Sequence, residues 1–241
     1  MLNIPTLLRR LPRPIKQAVK AVRRPFGIMA MSIGRVRSLS PLSTNWGEDR
    51  GTPIDRYYIE GYLAKNASGV KGRVLEVQED DYSRRFGGSR VSHQDVLSLH
   101  ASNARATIVG DLANPETLPA GQFDCIILTQ TLHLVYDMPS AMANVHRALK
   151  PGGIALITVP GITPLDRYDF LDNWYWSLTG PALQRLLLGA FPPENITVET
   201  FGNLYAATAF LHAAAVEEVN KRKLDKFDRA YPVTIAARAI A

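Results

Sequence analysis

FDCIILTQTLHLVYD, residues 123–137, opens with seven residues, Phe123–Thr129, of which only Asp124 is charged. A strand with one wet face alternates apolar and polar residues. This run does not, and an uninterrupted apolar strand belongs in a parallel sheet covered on both faces. The neighbouring segments agree. Upstream, residues 73–77, 89–93 and 104–109 read as strands, the last closed by Gly110-Asp111. Downstream, residues 140–149 place Met142, Val145 and Leu149 at helical spacing. Pro151-Gly152-Gly153 then stops the helix, and residues 154–159 form a fifth strand. Farther on, 181–191 and 204–219 read as helices, and 195–200 and 232–240 as strands. Strands alternating with helices imply a parallel sheet with right-handed crossovers. Such sheets bind ligands at the carboxyl ends of their strands, where the strand order reverses.

Composition narrows the class. With 46% hydrophobic and 21% charged residues among 241, a packed core is expected rather than disorder. No run of 18 apolar residues suggests a membrane span. The single cysteine, Cys125, lies in the apolar run and permits no disulfide within the chain, which suits a reducing, cytoplasmic compartment. The net charge of +6 is unevenly placed. Residues 1–37 carry nine Lys and Arg and no acid, so residues 38–241 hold three more acids than bases. A globally basic nucleic-acid-binding domain is a poor description of such a chain. The basic arm, drawn at residues 1–40, is open to three readings: a solvated terminus, a contact with an anionic membrane surface, or a contact with a partner protein or RNA. Residues 41–241 form the remaining domain.

The loops after the strands carry the chemistry. Glu76 is a carboxylate inside the apolar run Val74–Val77, costly there unless paired. Asp95 follows the second strand and suits either a pair of vicinal hydroxyls or a helix cap. Asp111 suits either an exocyclic amine or an ordinary Gly-Asp turn, with Leu112 beside it for an apolar contact. Thr129 and Gln130 line the mouth after strand four. His133 on that loop is the best placed candidate catalytic base, and equally a hydrogen-bonded structural histidine. Residues 46–60 gather Trp46, Glu48, Asp49, Arg50, Asp55, Arg56, Tyr57, Tyr58 and Glu60, a composition fit for a lid over residues 44–65 or for a surface helix of ion pairs. Asp166-Arg167-Tyr168-Asp169 and Trp174-Tyr175-Trp176 make a second polar-aromatic cluster. No metal-ligand set and no G-x-S-x-G are present, nor the G-x-G-x-x-G of a dinucleotide dehydrogenase.

GRVLEV at 72–77, Asp95, GDL at 110–112, FDCIILTQTLHLVYD and HRALKPGGIALITVPG at 146–161 occur in an order that resembles class I S-adenosylmethionine-dependent methyltransferases over roughly residues 70–160. WGEDRGTPIDRYYIE, 46–60, is similar to bacterial methyltransferases associated with sugar and polysaccharide biosynthesis. The resemblance implies a Rossmann-like, doubly wound, mostly parallel seven-stranded sheet with an antiparallel last strand. It implies S-adenosylmethionine as cofactor, with Asp95 on the ribose and Asp111 and Leu112 on the adenine. Glu76 would orient the first loop or approach the methionine ammonium, and Gln78 and Thr129 would border the cofactor. The acceptor would be a hydroxyl of a sugar, glycan or small polar metabolite. One departure stands out. In GRVLEVQEDDYSRRFGG, residues 72–88, Gln78, Asp80 and Tyr82 stand where the family has glycines. Either side chains such as Arg84 or Arg85 take over, with Gly87-Gly88 as a later turn, or cofactor binding is lost. A non-catalytic binding or scaffolding module and an RNA methyltransferase using the basic arm are the alternatives.

Overall fold

The computed structural model describes residues 38–241. The basic arm over 1–37, with the three readings open for it, lies outside the described residues. The chain divides into two compact units. One comprises, among the described residues, 38–58, 162–171 and 201–233; the other comprises 59–161, 172–200 and 234–241.

The second unit is built on a seven-stranded sheet. Its strands are β1 Gly72–Val77, β2 Val91–Ser98, β3 Ile108–Val109, β4 Phe123–Thr129, β5 Leu149–Pro160, β6 Ile196–Phe201 and β7 Thr234–Ile240. They lie in the order β3-β2-β1-β4-β5-β7-β6. All pairs from β3 across to β5 are parallel, and β7 runs antiparallel to β5. The mostly parallel, doubly wound architecture is therefore the expected one. Phe123, Cys125, Ile126, Ile127 and Leu128 are wholly buried, as a central parallel strand requires. Burial drives the Cys125 thiol upward, so it stays protonated.

The helices are α1 Ile54–Lys65, α2 Met138–Ala148, α3 Gly180–Leu187, α4 Leu204–Leu211 and α5 Lys221–Leu224. Local chemistry sets their starts. Asp137 accepts from the Ser140 amide at 3.1 Å to cap α2, and Thr179 accepts from the Ala182 amide at 3.3 Å to cap α3. Each has a proline in its first turn. Met142, Val145 and Ala148 of α2 and Leu183 and Leu187 of α3 join Leu75, Leu97, Ile126, Leu128, Ala155 and Ile157 in one buried cluster. The first unit has its own cluster around Ile54, Tyr58, Ala207, Phe210, Val216, Leu224 and Val233. Residues 44–58 of the expected lid belong to it.

Among the boundaries that differ from expectation, three are set by tertiary bonding. β2 continues past His93 to Ser98, because Asp95 is neutralised inside the strand rather than ending it. β3 shrinks to two residues, because Asn103 and Ala106 turn the chain through bonds to the His100 and Asn103 carbonyls. α4 ends at Leu211 instead of reaching 219. Ala213 adopts φ +55°, and Glu217 and Glu218 lie in a separate 3-10 turn, Val216–Glu218, where they bind Thr52 and Arg50. The Pro151-Gly152-Gly153 turn lies within β5, where Gly152 takes φ +77° and its amide donates to the Ala241 carbonyl.

Candidate functional site

Strand order reverses between β1 and β4, and the backbone is strained there. Gln78 just beyond β1 has φ +67°, and Gln130 just beyond β4 has φ +48°. Non-glycine residues pay for that conformation, and such strain gathers at ligand sites. Gln78 thus takes the turn a glycine would take. Its amide donates to the Leu97 carbonyl, and that of Gln130 to the Thr158 carbonyl, which fixes both turns on the neighbouring strands.

Glu76 is 3% exposed and accepts from the Ser83 amide at 2.8 Å and the Tyr82 amide at 3.2 Å. Burial pushes its carboxyl up to about 7, against the opposing pull of those bonds. It holds the loop that replaces the glycine-rich turn. Within that loop Tyr82 packs on Phe86, with ring centroids 5.9 Å apart. Neither arginine expected to meet a cofactor carboxylate is uncommitted: Arg84 pairs with Asp80, and Arg85 with Glu60 at 2.8 Å.

Asp95 departs from expectation. It lies inside β2 opposite Leu75, whereas Glu76 pairs with Val96. Side chains alternate along a strand, so Asp95 and Glu76 point to opposite faces of the sheet. Asp95 is 4% exposed and accepts from Arg73 Nε at 2.6 Å and Thr107 Oγ1 at 2.9 Å. Those bonds and the Arg73 charge outweigh desolvation and lower its carboxyl below the usual range. It is a strand-pairing ion, not an end-of-strand ligand. The last residue of β2 is Ser98, fully buried, whose hydroxyl donates to Gln78 Oε1 at 3.2 Å or to the His100 carbonyl at 3.1 Å. Asn103 Nδ2 donates to the Gln78 carbonyl at 2.9 Å and reaches Gln78 Oε1 at 3.3 Å. This lattice was not legible in the sequence, since it depends on where β2 ends.

Asp111 sits exposed in the turn after β3, where one carboxylate oxygen accepts from the Ala113 amide at 2.9 Å. Leu112 beside it is buried, its carbonyl taking the Asn144 side-chain amide at 3.0 Å. Thr129 is the last residue of β4 and half-buried. His133 lies in the short turn Leu132–Leu134, 2% exposed, with Nδ1 buried and bonded to nothing. Burial alone drops its pKa to about 3, so the ring is neutral. The Trp174 ring lies 4.2 Å from it, with a buried and unpartnered Nε1. Among the described residues no cluster of His, Cys, Asp and Glu could hold a metal.

The profile of a family described as a methyltransferase domain matches residues 46–198. The chain belongs to this methyltransferase family. The methyltransferase matches no curated protein significantly. Among solved structures it is similar to an S-adenosylmethionine-dependent methyltransferase from Mesorhizobium loti, with 20% identity over 78% of this chain and 100% of that one, and a TM-score of 0.52. One from Archaeoglobus fulgidus gives 10% identity, coverage of 77% and 94%, and a TM-score of 0.52. A possible histamine N-methyltransferase from Thermotoga maritima gives 15%, 78% and 90%, and 0.51. These likenesses bear on the fold.

S-adenosylmethionine is the cofactor of this enzyme, and the residues suit it with one substitution. The Asp111–Leu112 turn offers an acceptor and an apolar wall for an adenine, and Glu76 shapes the loop beside β1. The end of β2 presents Ser98 with Gln78 bonded beside it, and no carboxylate.

Proposed function

We propose that the methyltransferase methylates a hydroxyl of a sugar, glycan or related small polar metabolite. The cofactor brings a methyl group on a positively charged sulfur. What this chain adds is placement, and an outlet for the acceptor's proton.

The observation that carries the reading is an aromatic platform around His133. Tyr136 is 71% exposed, Tyr175 45% and Trp176 36%. The Tyr136 ring lies 5.3 Å from Tyr175 and 5.8 Å from Trp176. The platform is fastened to the loop after β4: the Tyr175 and Trp176 amides both donate to the His133 carbonyl, and Trp176 Nε1 donates to the Val135 carbonyl at 3.1 Å. Exposed rings cost free energy in water and pack well against the C–H face of a pyranose. His133 beside them is a neutral acceptor in a dry setting. A pKa of about 3 makes it a poor base toward a free alcohol. An oxygen that has begun to accept a methyl group is a strong acid, however, and such an imidazole suffices to take its proton late in the step.

A panel of glycosides, sugar nucleotides and hydroxylated metabolites, assayed with labelled S-adenosylmethionine, tests this. Methyl ether products are expected. Trp176→Ala should raise the acceptor KM about tenfold, the worth of one ring contact, and leave S-adenosylhomocysteine affinity unchanged. Methylation confined to amine or carbon acceptors would reject the proposal.

A further inference from the structure

We propose that the Gln78 carboxamide takes the ribose of the cofactor, replacing the strand-end carboxylate by a neutral donor. The inference rests on the cofactor assignment above and concerns residues that the assignment leaves unexplained.

Nucleotide sites of this topology place an acid after the second strand to accept from the ribose hydroxyls. Here the end of β2 is Ser98, and the nearest acid upstream, Asp95, faces the other side of the sheet in its bonds to Arg73 and Thr107. A cofactor lying across the ends of β1 and β2 therefore meets Gln78. Its backbone already adopts the left-handed turn, at φ +67°, so the side chain is the only addition relative to glycine. That side chain is oriented. Oε1 lies within reach of two donors, the Ser98 hydroxyl at 3.2 Å and Asn103 Nδ2 at 3.3 Å. With Oε1 occupied, the two N–H groups of Nε2 are turned away from Ser98 and Asn103, and they donate to no protein group among the described residues. A carboxylate accepts from the two ribose hydroxyls; this amide instead donates to their oxygens. Polarity at the subsite is thereby reversed, and no charge is added to a loop already carrying Asp80 and Asp81.

The test is calorimetric titration of the full-length protein with S-adenosylhomocysteine and with its 2′,3′-dideoxy analogue. Wild type should bind the dideoxy analogue about tenfold more weakly. Gln78→Ala and Gln78→Gly should bind S-adenosylhomocysteine about tenfold more weakly than wild type and no longer distinguish the two ligands, a loss equal to one hydrogen bond. The glycine variant meets φ +67° without strain, and thermal melts of both confirm folding. Unchanged or tighter binding in folded variants overturns the inference alone, showing that the side chain is a spectator or an obstruction. Absence of binding in wild type overturns the inference together with the cofactor assignment.

Discussion

Gln78 and Gln130 are the two residues that explain most about the site. Each sits in a conformation that glycine takes without cost, at the ends of the two strands between which the sheet order reverses. The sequence shows Gln78 as an anomaly against the family pattern, but not its φ and not the bonds to Ser98 and Asn103. Such bonds join residues 20 and 25 positions apart, beyond the reach of local pattern. Glu76 was legible as a carboxylate needing a partner, and it has two in the Tyr82 and Ser83 amides. Its raised pKa has a consequence for stability. The folded value is about 7, against 4.5 in an open chain. The stability that Glu76 contributes is therefore present below about pH 4.5 and lost as pH rises through 7. Glu76→Gln removes this titration. The melting temperature of the variant relative to wild type should climb between pH 5 and pH 8, by an amount on the order of 3 kcal/mol in stability. A difference that stays flat with pH would show that the carboxylate is charged throughout.

At the scale of elements, the strands and helices that pack with plain periodicity were legible. β4 has the bounds its apolar run announced, because a central parallel strand is written in continuous Ile, Leu and Phe. The end of the second strand was not legible, and its charge is the reason. An aspartate in a sequence reads as a strand end, whereas Asp95 is buried mid-strand by pairing with Arg73 across β1. Read that way, the second strand stops at His93, five residues short of its end at Ser98. Asp95→Ala should accordingly cost about 2–4 kcal/mol in stability, as the loss of one partner of a buried pair does, measured by chemical denaturation. Affinity for S-adenosylhomocysteine in the folded variant should stay within about twofold of wild type, under 0.5 kcal/mol. Loss of binding with unaltered stability would restore Asp95 to the cofactor. The tail of the expected helix over 204–219 was illegible for a related reason. Glu217 and Glu218 read as a continuation of the helix, but they sit in a separate 3-10 turn bonded to Thr52 and Arg50, more than 160 residues away.

For the molecule as a whole, the parallel sheet could be read from strands alternating with helices, because continuous apolar runs report burial directly. The gathering of residues 38–58, 162–171 and 201–233 into one compact unit could not, since no local signal links three separated segments. Hydrogen exchange of the full-length protein, with and without saturating S-adenosylhomocysteine, tests directly whether the carboxyl edge of the sheet holds the cofactor. Protection is expected in peptides covering residues 77–84, 98–112 and 129–134, the loops beyond β1, β2 with β3, and β4. Unchanged exchange in these loops, or protection confined to other segments, would contradict the site.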